Sequence, residues 1–171
     1  MKISTADLCD HYSDRADLGL QVALPGLQSF GGHDFLYGPA YTISCIDDSG
    51  LIRETVATPG ERRILVVDGH ASTRRALLGD IQATRAMDNG WGGIVIHGCV
   101  RDRLALASLP FAVFAIGTVP LRPLRAGSGQ VGGEVSFLNV TIRPGTWVYA
   151  DLDGMIVLNR AVEIPAPIPV E

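Results

Sequence analysis

The sequence has 171 residues, of which 47% are hydrophobic and 19% charged, and its formal net charge is -4. This composition is typical of a globular protein, and the length predicts a single domain, residues 1–171, with a sizeable core. The acidic balance gives no general attraction to nucleic acid or to an anionic membrane. We therefore expect neither as a direct partner.

The cysteines and the N-terminal stretch predict a cytoplasmic protein. Cys9, Cys45 and Cys99 are odd in number and lack CxxC spacing, which argues against a disulfide framework and a structural zinc site. We expect them to be reduced. The stretch from Met1 to Asp10 is polar and charged, which is not typical of a signal peptide.

The first third of the chain predicts two helices around one strand. Ser4-Thr5 followed by Asp7 indicates a helix start, and we expect this helix to end by Asp17 to Gly19. Breakers then mark a turn-rich stretch, namely Pro25-Gly26, Gly31-Gly32 and Gly38-Pro39. The pattern after them predicts a strand over Ala40–Ile46 and a short helix over Leu51–Ala57.

The middle of the chain predicts a parallel strand–helix–strand unit. Ile64–Val67 and Ile94–Ile96 are continuous apolar runs, as in central strands covered on both faces. A helix over Gly79–Asn89 lies between them. Ligands of such units bind beyond the carboxyl ends of the strands. Asp68-Gly69 and the segment from His97 to Asp102, which begins with a predicted turn at His97-Gly98-Cys99, both fall at that edge.

The last third predicts mainly strands. Leu104–Leu121 carries no charge, but Pro110 and Pro120 interrupt it, so we expect short buried segments and no membrane span. One of these is a strand over Phe111–Ile116. A β-meander follows, with strands at Val135–Leu138, Val140–Ile142, Trp147–Ala150 and Met155–Leu158, and then an extended tail over Ile164–Val170. The fold class is therefore α/β, with mixed β-sheets and flanking helices in one compact domain.

Asp80 and the dipeptide Arg101-Asp102, with twenty residues between them, form the candidate functional motif. A helix that begins near Gly79 offers free N–H groups to an anion. Arginine binds carboxylates through paired hydrogen bonds, and aspartates hold hard divalent cations. Lys2 is the only lysine, which argues against a lysine-imine aldolase and favours a metal route if the protein is an aldolase. Proton transfer could then use water oriented by Asp80.

Structural interpretations of the same residues remain open. Asp80 could only stabilise the helix dipole, and Arg101-Asp102 could be a surface ion pair contributing about 0–1 kcal/mol. His97 is expected to be structural, and His70 is a weaker candidate for a residue that supports the site. Arg122 and Arg125 are expected to be solvated or interfacial, although they could attract an anionic substrate.

Several stretches match a known family in order. The specific one is the block Gly92-Gly93-Ile94-Val95-Ile96-His97-Gly98-Cys99-Val100-Arg101-Asp102. The others are Thr5-Ala6-Asp7-Leu8-Cys9-Asp10, Gly38-Pro39-Ala40, Arg63-Ile64-Leu65-Val66-Val67-Asp68-Gly69, Ala76-Leu77-Leu78-Gly79-Asp80, Ala150-Asp151-Leu152-Asp153-Gly154 and the final strand. Over nearly its whole length the chain resembles the RraA family, named for regulator of ribonuclease activity A. Its relatives include 4-hydroxy-4-methyl-2-oxoglutarate aldolases.

The resemblance implies a fold, an assembly and an activity. The fold is similar to swivelling phosphohistidine domains, and the assembly is a homotrimer or a hexamer of stacked trimers with sites near subunit boundaries. The aldolase members use Mg²⁺ or Mn²⁺ to cleave a hydroxylated keto acid to pyruvate and a second keto acid. They also decarboxylate oxaloacetate, and both reactions pass through pyruvate enolate.

The resemblance also assigns roles by position. The main-chain amides of Gly79, Asp80, Ile81 and Gln82 bind the substrate carboxylate, and Arg101 binds substrate and steadies the enolate. Asp102 ligates the metal, which Asp80 meets through water. The sequence departs from the family at Pro144-Gly145-Thr146, where Pro-Gly-Asp is usual. It also lacks a longer C-terminal extension that, in some aldolases, donates an acidic residue to the neighbouring site.

Two other functions stay open at this point. The regulator branch of the family binds and masks a ribonuclease without catalysis, and it can lose the aspartate that follows the arginine. This chain keeps that aspartate as Asp102, which favours the enzyme. A retired enzyme kept as an oligomeric scaffold is the remaining alternative, and it would neither bind metal nor turn over substrate.

Overall fold

The computed structural model describes residues 3–165, and this part of the chain contains four α-helices and twelve strands. The helices are α1 (Thr5–Tyr12), α2 (Gly50–Val56), α3 (Asp80–Asp88) and α4 (Arg103–Ser108). The strands are β1 (Gln21–Val22), β2 (Gln28–Ser29), β3 (Leu36–Ser44), β4 (Ile64–Asp68), β5 (Ala76–Leu78), β6 (Gly93–Val100), β7 (Val113–Thr118), β8 (Gln130–Val131), β9 (Val135–Phe137), β10 (Val140–Ile142), β11 (Trp147–Ala150) and β12 (Met155–Leu158).

Ten strands form one mixed sheet, which confirms the predicted fold class. Its order is β1-β12-β11-β3-β4-β6-β7-β2, with β5 beside β6 and β8 beside β3. The centre, β3 to β7, is parallel, and β11 and β12 extend it in antiparallel fashion. Among the helices within residues 3–165, none combines the length and the apolar character that crossing a bilayer requires.

The central strands are buried on both faces, as their continuous apolar sequences predict. On one face Leu65 and Ile96 belong to a cluster that includes residues of α2 and α3. On the other face Val66 and Val95 belong to a second cluster, together with Phe137 of the β9–β10 hairpin. Helices therefore cover one side of the sheet and a hairpin covers the other, which leaves the carboxyl edge of β5 and β6 accessible.

Two predictions near the N-terminus were wrong in their boundaries. The first α-helix ends at Tyr12, and a separate 3-10 turn at Ala16–Leu18 places Leu18 in the core beside Leu8. Gly38-Pro39 does not break the chain but lies inside β3. Glycine is required there because a Cβ at Gly38 would lie 2.7 Å from a carbonyl oxygen. Pro39 precedes the first residue paired with β4, so its missing N–H costs that ladder no bond.

The predicted strand–helix–strand unit is confirmed, but its last strand is longer than expected. His97-Gly98-Cys99 lies within β6 and not in a turn. The strand continues because β5, which the sequence analysis missed, pairs with β6 beyond the end of β4. A register shift between Ile96 and Cys99 in the pairing with β7 accommodates the change of partner. The carboxyl end of the unit is therefore at Val100, immediately before Arg101.

The late strands lie close to their predicted positions, but they do not form a continuous meander. β9 and β10 make a separate hairpin, while β11 pairs with β3 and β12 in the main sheet. β7 begins two residues later than expected, at Val113. The predicted extended tail, Ile164–Val170, lies outside the described residues from position 166 onward.

Candidate active site

The two halves of the sequence motif meet at the carboxyl ends of β5 and β6. The Arg101 amide donates to the Leu78 carbonyl at 2.9 Å, which places Gly79-Asp80 beside Arg101-Asp102. All four residues line a cavity of about 180 Å³. This volume lies below the roughly 300–1,000 Å³ of sites for drug-sized ligands, so the cavity suits a small organic acid. The structure thus brings together the Gly79–Gln82 segment, Arg101 and Asp102, whereas His70, the weaker candidate, does not line this cavity.

The Asp102 carboxylate lies over the backbone of Gly79. Asp102 Oδ2 accepts a hydrogen bond from Arg101 Nε at 3.2 Å, and a Cβ added to Gly79 would approach this oxygen to within 2.3 Å. Asp102 itself has a φ of 60°, which is uncommon for a residue other than glycine. Non-glycine residues held in this region cluster at functional sites. Glycine at position 79 is therefore a geometric requirement of this carboxylate position.

The amino end of α3 forms the adjoining wall of the cavity. Gly79 is the N-cap and has no side chain to cap the helix, and the first helical bond runs from the Ala83 amide to the Gly79 carbonyl. The Ile81 amide donates to Asp80 Oδ1 at 2.8 Å. The other N–H groups of the first turn have no acceptor within the helix. They are suited to an anion, as the resemblance implies for Gly79, Asp80 and Gln82, whereas the Ile81 amide is already taken by Asp80.

The donor set fits a magnesium-like ion better than a zinc-like one. Asp80 and Asp102 both line the cavity, and the side chain of Asp102 is 36% exposed. Within residues 3–165, no group of three histidines, cysteines or carboxylates is placed to hold a metal ion. Mg²⁺ binds through one or two carboxylates and completes its shell with water and substrate oxygens, whereas zinc sites need three or four protein ligands. Asp102, with Asp80 behind it, could hold Mg²⁺ or Mn²⁺, and this role stays a prediction.

Three further arginines line the same cavity. Arg53 comes from α2, and Arg122 and Arg125 come from the loop after β7. The sequence analysis missed Arg53, because a lone arginine on a short helix shows no motif or spacing. It noted Arg122 and Arg125 as residues that could attract an anionic substrate, and their position in the cavity wall fits that alternative. The cavity is thus richer in positive charge than the motif alone indicates.

A second polar cluster lies at the carboxyl end of β4, outside the cavity. Asp68 ends β4, and its carboxylate contacts His97 Nδ1 at 3.1 Å and the His70 amide at 2.9 Å. His70 Nε2 lies 2.9 Å from Ser44 Oγ, and the His97 ring stacks on Phe137 at 4.7 Å. Burial raises the pKa of Asp68, but these hydrogen bonds and the nearby histidines outweigh it and hold the pKa below its usual value. The structural role expected for His97 fits these contacts, and His70 contacts Asp68 and Ser44.

Fold and site together define a class: a small mixed α/β domain with an open cavity, built from carboxylates and arginines at its sheet edge. The family model described as RraA-like, Aldolase/RraA, matches residues 5–157 of the chain. The protein therefore belongs to the RraA-like family, as its motifs predict.

Individual relatives carry different names. A protein of Laribacter hongkongensis named "Putative 4-hydroxy-4-methyl-2-oxoglutarate aldolase" is 47% identical over 156 residues, which cover 91% of this chain and 96% of the relative. A Geobacillus kaustophilus structure titled as an S-adenosylmethionine:2-dimethylmenaquinone methyltransferase superposes with a TM-score of 0.89, at 41% identity and 94% and 97% coverage. The Thermus structure of the RNA-processing inhibitor RraA has a TM-score of 0.88, at 33% identity and 95% and 96% coverage.

Proposed function

We propose that this protein is a divalent-metal-dependent lyase that releases pyruvate from keto acids. Its substrates would be 4-hydroxy-4-methyl-2-oxoglutarate or related hydroxylated keto acids, and it would also decarboxylate oxaloacetate. The observation that carries the proposal is the meeting of the α3 amino end, Arg101 and Asp102 around one small cavity. The aldolase names of relatives at 41–47% identity support it.

Both reactions place the same demand on the site. In oxaloacetate the C3–C4 bond breaks, CO₂ leaves, and the electron pair forms the enolate of pyruvate, which takes a proton at C3. In the hydroxylated keto acid the C4 hydroxyl loses its proton as the C3–C4 bond breaks, which releases a second keto acid. Negative charge accumulates on the C2 oxygen in each case. A site that stabilises this oxygen therefore serves both substrates.

The residues around the cavity divide this work. The first-turn amides of α3 would hold the C1 carboxylate, and the Arg101 guanidinium would place a fixed positive charge beside the C2 oxygen. Asp102 would ligate the divalent cation directly and Asp80 would orient its water; when bound, this ion supplies Lewis-acid stabilisation worth several kcal/mol. Water oriented by Asp80 would supply the proton that C3 takes up. Lys2 is the only lysine in the sequence, which leaves little scope for an imine mechanism.

The test is pyruvate release from oxaloacetate, measured in a coupled assay with purified protein and Mg²⁺. We expect turnover well above the rate that Mg²⁺ alone produces, loss of that turnover in excess EDTA, and recovery when Mg²⁺ or Mn²⁺ is added back. A rate equal to the metal's own background would contradict the proposal. Absence of both turnover and metal binding would support the scaffold alternative.

The second candidate function is inhibition of a ribonuclease by direct binding. It is favoured by the superposition on the RraA inhibitor structure at 33% identity over 95% of the chain. A pull-down against the ribonuclease, with wild-type protein and a variant that lacks the Asp102 carboxylate, separates the two functions. Binding that survives the substitution, with no turnover in the wild type, would favour the regulator.

A further inference from the structure

We infer that Arg53, assisted by the side chain of Gln82, forms a subsite for a second carboxylate, which makes the cavity selective for dicarboxylic keto acids. This inference rests on the proposed function, because it assigns the distal end of the same substrate. Neither residue belongs to the Asp80, Arg101 and Asp102 motif.

The first observation is a pair of buried polar atoms without partners. Within residues 3–165, Arg53 Nε and Gln82 Oε1 are the buried side-chain nitrogen and oxygen atoms that lack a hydrogen bond. Both residues line the cavity. A buried donor left unpaired costs about 1–3 kcal/mol, and more when it is charged, so a small shift of the Arg53 side chain toward an acceptor in the cavity would be favourable. A carboxylate oxygen is the acceptor that guanidinium groups bind best.

The Gln82 side chain can serve the same ligand. Its amide oxygen and nitrogen exchange places by rotation about one bond. In one orientation the nitrogen donates to a carboxylate. In the other the oxygen accepts from the hydroxyl of a hydroxylated keto acid. Gln82 therefore supports both substrates of the proposed function.

The second observation is the charge of the cavity. It is lined by four guanidinium groups, those of Arg53, Arg101, Arg122 and Arg125, but by only two carboxylates. Arg101 pairs with Asp102 at 3.2 Å. In the described part of the chain, the other three arginines have no carboxylate within 4.0 Å. The cavity therefore favours a ligand that carries more than one negative charge.

The third observation is that this arginine-rich wall is held in place. Asp48 Oδ1 accepts from the amides of Gly50 at 2.8 Å and Gly127 at 3.1 Å, and Oδ2 accepts from Ala126 at 2.8 Å. These bonds connect the start of α2, which carries Arg53, to the loop that carries Arg125. The Ser49 amide also donates to the Leu124 carbonyl at 2.9 Å. The subsite is thus preorganised before a ligand arrives.

The test compares a dicarboxylate with a monocarboxylate in the Arg53→Gln variant. Oxaloacetate carries the second carboxylate, whereas pyruvate lacks it but forms the same enolate, which exchanges its methyl protons in D₂O. We expect the KM for oxaloacetate to rise about tenfold or more, from the loss of a charge-assisted hydrogen bond. The rate of pyruvate exchange should fall by a much smaller factor. Arg53→Lys, which keeps the positive charge, should have a KM between those of Arg53→Gln and the wild type.

Arg85→Gln is the matched control. Arg85 lines the adjoining cavity with Arg53 but not the candidate site, and its substitution should leave both rates within about twofold of the wild type. An unchanged KM in Arg53→Gln, or an equal loss of both activities, overturns the subsite while the proposed function stands. A wild-type protein that catalyses neither reaction overturns the proposed function itself.

Discussion

Two polar clusters lie near the same sheet edge, but they differ in how their hydrogen bonds are completed. In the cluster around Asp68, protein groups supply the partners: His97, the His70 amide and, through His70, Ser44. In the cavity around Asp102, the carboxylate contacts one guanidinium, and Arg53 Nε has no partner. The first cluster stabilises the fold by itself. The second leaves donors and acceptors for a ligand.

The difference shows how a ligand site can be distinguished from a structural polar cluster in this fold. Both clusters contain an aspartate at a strand end with a basic residue beside it, so residue type does not distinguish them. Buried polar groups in proteins are nearly always paired, and the exceptions call for an explanation. Here the exceptions coincide with the cavity, a helix amino end and the left-handed backbone of Asp102. Unsatisfied groups therefore identify the candidate site independently of the sequence motif.

Among substitutions that leave the Asp102 carboxylate in the chain, the largest expected effect comes from Gly79→Ala. The new methyl group would meet Asp102 Oδ2, which lies 2.3 Å from the Cβ position, and it would displace the carboxylate. We expect oxaloacetate decarboxylation to fall on the order of 10²-fold, as displacements of about 1 Å do in other enzymes. The melting temperature should fall by only a few degrees, because replacing Gly by Ala at an N-cap costs about 1 kcal/mol.

Gly117→Ala is the control for this substitution. Its Cβ would meet only Cys99 Sγ at 3.6 Å, an ordinary contact, and its backbone suits alanine. We expect full activity. If Gly79→Ala also retained wild-type activity, the position of the Asp102 carboxylate would not matter to turnover, and the site as described would be wrong.

A smaller effect, on stability alone, is expected for Asp68→Asn. Loss of the charged acceptor weakens the bonds from His97 and the His70 amide and should lower the free energy of unfolding by about 1–3 kcal/mol at pH 7. Turnover should stay within about twofold of the wild type, because Asp68 does not line the cavity. Urea unfolding and the pyruvate assay measure the two quantities.

The pH dependence of the same variant follows from the lowered pKa of Asp68. Its pKa is lower in the folded than in the unfolded state, so its contribution is present above the ordinary value of about 4 and is lost as pH falls through the folded value. The stability gap between wild type and Asp68→Asn should therefore narrow at pH 3. Asp14→Asn, an exposed control, should show no gap at either pH. The difference in unfolding free energy between wild type and Asp68→Asn could instead be equal at both pH values, or Asp68→Asn could lose turnover. Either result would contradict the distinction between a structural cluster and a ligand site.

Much of the fold could be predicted from local patterns, and the exceptions share one cause. The structure confirms the parallel unit that the apolar runs at Ile64–Val67 and Ile94–Ile96 predict. Strands that are buried on both faces are apolar throughout, which makes them easy to recognise. The strand β5 and the extension of β6 through His97 were missed, since both depend on pairing between segments more than twenty residues apart. Gly38-Pro39 was misassigned for the same reason. Gly38-Pro39 can lie within a strand because of the two strands that flank β3, which are β4 and β11.

The candidate site was predicted only in part. Asp80, Arg101 and Asp102 follow a recognisable spacing and lie together, but Arg53 approaches from another helix with no motif of its own. The metal, the homotrimer or hexamer, the ribonuclease partner and the cytoplasmic location stay predictions. The assembly in particular depends on contacts between subunits, which local sequence patterns do not specify.

The central claim is that Asp102 holds the working metal of a pyruvate-releasing site. The most direct test is the Mg²⁺-dependent kcat/KM of Asp102→Ala for oxaloacetate, measured beside its melting temperature. We predict a fall on the order of 10³-fold with the melting temperature nearly unchanged, because loss of a metal ligand removes several kcal/mol of transition-state stabilisation. EDTA-sensitive turnover at the wild-type rate in this variant would contradict the claim.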